Sequence, residues 1–178
     1  MRKTILLAGV LIIASVVAAA AQTAEKKMHA CALLTSGDVG AAVGGTPGKS
    51  QESDIVIPAG PSKGETMGTC MWAAGNQGMV TVSIIRAPQG AQREAGLAKL
   101  NEGLALLKGQ GWTEEKKDFS NAKCARMTPP PSQKDSPIST GCMAESKGMG
   151  ISVGAMGRAS VAIENVKALL DKAIGRLP

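Results

Sequence analysis

Residues 67–86 read Met67-Gly-Thr-Cys70-Met-Trp72-Ala-Ala-Gly75-Asn-Gln-Gly78-Met79-Val80-Thr-Val82-Ser-Ile84-Ile-Arg86. Two apolar or alternating runs, Met67 to Ala74 and Met79 to Arg86, flank the turn-forming Gly75-Asn76-Gln77-Gly78, which is the pattern of a β-hairpin. Val80, Val82 and Ile84 fall on one face of the second strand because side chains alternate along a strand. The segment that follows reads as a helix from Ala91 to Lys108. In it Leu97, Leu100, Leu104 and Leu107 recur at three- and four-residue steps, Gly109 closes the run, and the stripe is expected to face the core.

A second copy of this grammar lies further on. Ile138 to Glu145 and Met149 to Met156 form a hairpin around Ser146-Lys147-Gly148, and the helix Ser160 to Leu177 follows. On that helix Val166, Leu169, Leu170, Ala173 and Ile174 share a stripe opposite Glu164, Lys167, Asp171 and Lys172. Both stretches read β-β-α, so the sequence predicts an α+β fold: an antiparallel sheet with helices packed on one face, built from two β-β-α units. Between them Trp112 to Phe119 reads as an edge strand and Ala122 to Met127 as its neighbour. The loop Thr128 to Pro137, with three consecutive prolines, cannot join a sheet interior. Upstream, Thr35 and Asp38 make a helix start and Gly44-Gly45 its stop. Residues 46–66 read as an exposed loop with one brief strand at Ile55 to Ile57.

The N-terminus has a different character. Arg2 and Lys3 precede Ile5 to Ala21, an uncharged apolar run ending in four alanines, as in a secretory signal peptide cut after Ala21. The alternative is a retained membrane anchor, but 17 alanine-rich residues stand at the lower edge of what spans a bilayer. The domain plan is therefore a signal peptide at 1–21, a flexible polar lead-in at 22–30 and one domain at 31–178. Losing Arg2 and Lys3 lowers the net charge from +6 to +4. Basic residues are scattered and Phe119, Trp72 and Trp112 are the only aromatics, which argues against nucleic acid as a partner. A membrane enters only through an uncut leader.

Cys31, Cys70, Cys124 and Cys142 remain after cleavage, and an even count in an exported chain points to disulfides. Three connectivities are open. Sequential pairing is favoured because it keeps each bridge within one half of the chain. No C-x-x-C motif occurs, so metal and redox uses of these thiols find little support.

The arrangement Cys31-x-Leu33-Leu34-Thr35, then Cys70-x-Trp72 ahead of Val80-Thr81-Val82, then a terminal helix ending Ala173-Ile-Gly-Arg-Leu-Pro178, resembles a family of small bacterial cell-envelope domains. Its members are mostly exported or lipid-anchored and of unknown function. The resemblance implies that Cys31 and Cys70 are bridged, that the first helix is tied to the first hairpin, and that the fold is a compact α+β sandwich. It supplies no catalytic residues. Cys31 follows Met28-His29-Ala30 and not a lipobox, so no lipid anchor is carried over.

Candidate sites are few. His29, the one histidine, lies in the lead-in without a nucleophile to serve. Glu114, Glu115, Asp54 and Asp118 show no spacing that favours a hydrolytic carboxylate pair. Gly44-Gly45 and Gly109-x-Gly111 do not stand between a strand and a helix as phosphate loops do. Nine methionines, seven of them between Met67 and Met156, are read as gap-fillers of a core poor in aromatics, with copper(I) binding the alternative. No catalytic, cofactor or metal residues are assigned. The reading is a non-enzymatic exported domain, periplasmic or secreted, that binds an unknown protein or small envelope ligand through its sheet face or loops 46–66 and 128–137. An envelope hydrolase or a redox or metal-handling accessory is the rival.

Overall fold

A computed structural model describes residues 29–60, 62–74, 78–87 and 90–178. The leader, all but the end of the lead-in, and the hairpin turn at 75–77 lie outside them. The element order is α1 (Ser36–Val43), β1 (Ser50–Val56), β2 (Thr66–Ala73), β3 (Met79–Arg86), α2 (Gly90–Gly109), β4 (Thr113–Phe119), β5 (Ala122–Thr128), β6 (Ile138–Ser146), β7 (Met149–Gly157) and α3 (Ile163–Gly175), with short 3-10 turns at Ala30–Ala32 and Pro131–Gln133. All seven strands join one antiparallel sheet in the order β1-β2-β3-β7-β6-β5-β4.

The expected α+β class made of two β-β-α units is corrected here. The fold is β-rich, with 39% strand among the described residues, and the two hairpins merge through the β3–β7 pairing into one continuous sheet. The two helices that were to match behave differently. α3 buries Ile163, Val166, Leu169, Leu170 and Ala173 against β5, β6 and β7. The leucines of α2 enter no core: Leu97 and Leu100 are exposed, Leu104 and Leu107 half-buried. The physical reason is occupancy. One sheet face is already covered by α3 over β5–β7 and by the Ala30–Ala32 turn over β1–β3, so no apolar surface remains there for a second long helix. The expected α+β sandwich is replaced by the same single-sheet arrangement.

The covered face is assembled by strand alternation. Cys70 and Trp72 of β2, Val80, Val82 and Ile84 of β3, Ile151, Val153 and Ala155 of β7, Cys142 of β6 and Cys124 of β5 are all buried in one cluster. Thr140 also points into it, its hydroxyl donating to the Val161 carbonyl at 3.0 Å, so the buried polar group is satisfied. Residues 50–56, expected to be mostly loop, form a full strand. β1 is an edge with nearly every residue exposed, so polar Ser50-Gln-Glu-Ser-Asp54 carries no burial penalty while its backbone pairs with β2. The β6–β7 connection is a two-residue turn whose Lys147 and Gly148 both have positive φ, the primed geometry that matches strand twist.

Two bridges and one carboxylate lock the covered layer. The pairing is sequential, Cys31–Cys70 and Cys124–Cys142, the latter between directly opposed residues of β5 and β6. Asp38 closes a capping box with Thr35 at the start of α1, and Gly44 ends that helix in the left-handed conformation. The same Asp38 carboxylate accepts from Lys172 Nζ at 2.8 Å and from Arg176 Nη1 at 2.6 Å, joining α1 to α3. The Arg176 guanidinium, then Lys172 and the Thr35 backbone, hold its carboxyl far below the usual carboxylate range. Asp38→Asn should cost about 2 kcal/mol at neutral pH, as expected for losing charge-assisted bonds. Because the folded-state pKa is depressed, this contribution is fully present above the unfolded value of about 3.9 and fades as pH falls below it. Urea unfolding of both proteins at pH 7 and at pH 3 checks this, the gap between them being expected to narrow at the lower pH.

Candidate functional site

The uncovered face of the sheet is set by residues out of phase with the core. Six methionines project there: Met67 and Met71 from β2, Met79 from β3, Met127 from β5, Met143 from β6 and Met156 from β7. Met143 and Met156 are 46% and 40% exposed. Met149, in phase with Ile151 and Val153, packs against the core. The reading of the methionines as core gap-fillers therefore holds for Met149 and fails for these six. The signal was in the sequence: each of the six alternates against the Val, Ile or Cys residues of its own strand. Small residues, among them Thr81, Ser83, Ser152, Gly154 and Gly141, separate them and keep the face low.

The last turn of α2 meets this side through one ion pair. β3 ends beside Met149, whereas β4 starts beside Thr128 at the opposite end of the sheet, and a helix of 20 residues, about 30 Å long, covers that return. Glu114 of β4 points to the uncovered face, its side chain only 3% exposed, and Lys108 in the last turn of α2 reaches it at 2.6 Å. Lys108 holds the Glu114 carboxyl below its ordinary range despite burial. The Trp112 indole N–H, which follows α2 at this end, is buried without an acceptor among the described residues.

At one end of that face the rim is polar. Met79 and Met156 are direct cross-strand partners. With Gly78, Gly157, Asp135, Pro137 and Arg158 they line an open cavity of about 720 Å³. Asp135 comes from the proline loop, which is folded by backbone bonds from Gln133 to Pro130 and from Ser136 to Gln133. Gly78 has φ +105, and a Cβ there would meet the Met156 carbonyl oxygen, so only glycine allows β3 to start against β7 at this wall.

Neither a protein-family model nor a curated protein matches the sequence. The chain is similar to the extracellular domain of PknH from Mycobacterium tuberculosis. The identity is 14% and the TM-score 0.55, over 82% of this chain and 92% of that one. A likeness at this identity speaks for the fold alone, the single sheet described above, while the two bridges fit a protein exported to an oxidising compartment.

The other sequence candidates are dispersed. His29 Nδ1 lies 3.5 Å from Glu52 Oε2, whose other oxygen accepts the Cys31 N–H, so His29 belongs to the tie between the first turn and β1. Glu114 and Glu115 point to opposite faces, Glu115 pairing with Arg126. Asp54 is on the opposite edge strand, six strand spacings or about 29 Å from β4. Asp118 shares a face with Glu114 but lies four residues, about 13 Å, along the strand, beyond the separations glycosidases use. Gly44 and Gly109-x-Gly111 end helices. Among the described residues no three of His, Cys, Asp and Glu converge, and no helix is long and apolar enough to cross a membrane.

Proposed function

We propose that this is a non-enzymatic domain, periplasmic or secreted, that binds a small apolar ligand of the cell envelope on the uncovered sheet face. One observation carries the reading: six out-of-phase methionines leave apolar surface on a single face of the sheet. Exposed apolar surface forgoes about 25 cal/mol for each Å² that could be covered, and contiguous patches of it mark binding sites. Thioether side chains are flexible and polarizable, which suits a surface that adapts to apolar ligands. The resemblance to small exported envelope domains supports the placement outside the cytoplasm, as do the bridges and the extracellular setting of the PknH domain. The hydrolase and redox readings have less support, because the carboxylates are dispersed and all four cysteines are bridged.

The test uses the apolar dye 8-anilinonaphthalene-1-sulfonate. The native protein should enhance its fluorescence, and the double variant Met143→Glu/Met156→Glu should lose most of that enhancement. Both positions are exposed, so unfolding stability should stay within about 0.5 kcal/mol. Native protein that leaves the dye dark, or a variant that enhances it equally, overturns the proposal.

A further inference from the structure

We infer that the 720 Å³ cavity at the Met79–Met156 end accepts a zwitterionic ligand with apolar side chains, a short apolar peptide with free termini. This deepens the binding reading above and rests on it. The residues lining the cavity carry one carboxylate, one guanidinium and two thioethers. Asp135 arrives from the loop before β6 and Arg158 from the end of β7, and neither makes a hydrogen bond or ion pair with another described residue. Among the described residues, therefore, both exposed charges are open to a ligand at this wall. A ligand ammonium satisfies Asp135, a ligand carboxylate satisfies Arg158 in the forked geometry that guanidinium favours, and apolar side chains lie on Met79, Met156 and the Pro137 ring. A fatty acid answers only Arg158 and leaves Asp135 opposing it. The volume exceeds what one amino acid fills and falls within the range of roughly 300–1,000 Å³ typical of small-molecule pockets, which favours a peptide of a few residues.

Calorimetric titration of the full exported chain with trileucine tests the inference, alongside N-acetyl-trileucine and trileucine amide. Trileucine should bind at one site, and blocking either terminus should weaken binding about tenfold, the factor carried by one charge-assisted contact. Arg158→Ala should weaken the free peptide by a similar factor while leaving the amide unchanged, and Asp135→Ala should do the same for the free and N-acetylated peptides. No detectable trileucine binding, or blocked peptides that bind as tightly as the free one, overturns it. Methionine-dependent dye enhancement in a protein that ignores trileucine refutes the peptide and leaves the apolar face standing. An absent dye response refutes the face itself.

Discussion

Cys31→Ala/Cys70→Ala is expected to lower the unfolding free energy by about 4 kcal/mol, the chain-entropy value for a bridge closing 39 residues. The 18-residue Cys124–Cys142 loop should contribute roughly 3 kcal/mol by the same relation. Total stabilities of small domains are of the order of 5–15 kcal/mol, so the first loss alone removes a large fraction. It also has a place. The Ala30–Ala32 turn covers β1, β2 and β3 where α3 does not reach, and it is held to the sheet by this bridge together with the Cys31 N–H bond to Glu52. Freed from Cys70, the turn should open first and expose the Val80–Val82 end of the core. Guanidinium unfolding of the variant, with hydrogen exchange on the β2 and β3 amides, checks both parts. An unchanged midpoint would falsify the view that sulfur links compensate for a small apolar interior.

Trp72→Ala should cost about 3–5 kcal/mol, the usual range for deleting a large buried aromatic. Trp72 is 1% exposed, pairs across strands with Ser50 and Val80, and is the largest fully buried side chain in a protein with only three aromatic residues. The cluster it belongs to is otherwise built of Leu, Ile, Val, Ala and Cys, none large enough to fill the space an indole leaves. Trp112, half-buried beyond α2, should tolerate Trp112→Phe far better, because that change keeps the ring packing and removes a donor that has no partner among the described residues. Denaturant midpoints of the two variants give the comparison directly, and equal losses would contradict the assignment of Trp72 as the centre of the core.

Much of the local structure was legible. Thr35 with Asp38 announced a capping box, Gly44 a left-handed stop, and the hairpins around residue 78 and Lys147-Gly148 were placed to within a residue or two. Both helices that carried leucine or valine stripes exist. The errors came from reading an apolar residue as an inward one. A stripe such as Leu97-Leu100-Leu104-Leu107 says that a helix has an apolar side, and says nothing about whether a partner surface is vacant. Likewise methionine commonly fills cores, but the phase of the strand methionines against Cys70, Val82 and Cys142 places them on the other face. The cavity could not be anticipated, since Asp135 and Arg158 are brought together by a loop and a strand end 23 positions apart with no pattern linking them.

Sequence by itself determined what depends on near neighbours in the chain: which runs extend or coil, and where they cap and turn. Only the tertiary structure decided what depends on competition for one surface. β3 and β7 pair across the middle, so a single sheet forms with two faces, and α3 with the bridged first turn occupies one of them. The other is left to methionines and an open cavity, because a sheet this narrow in apolar content has one core to fill and that core is already complete.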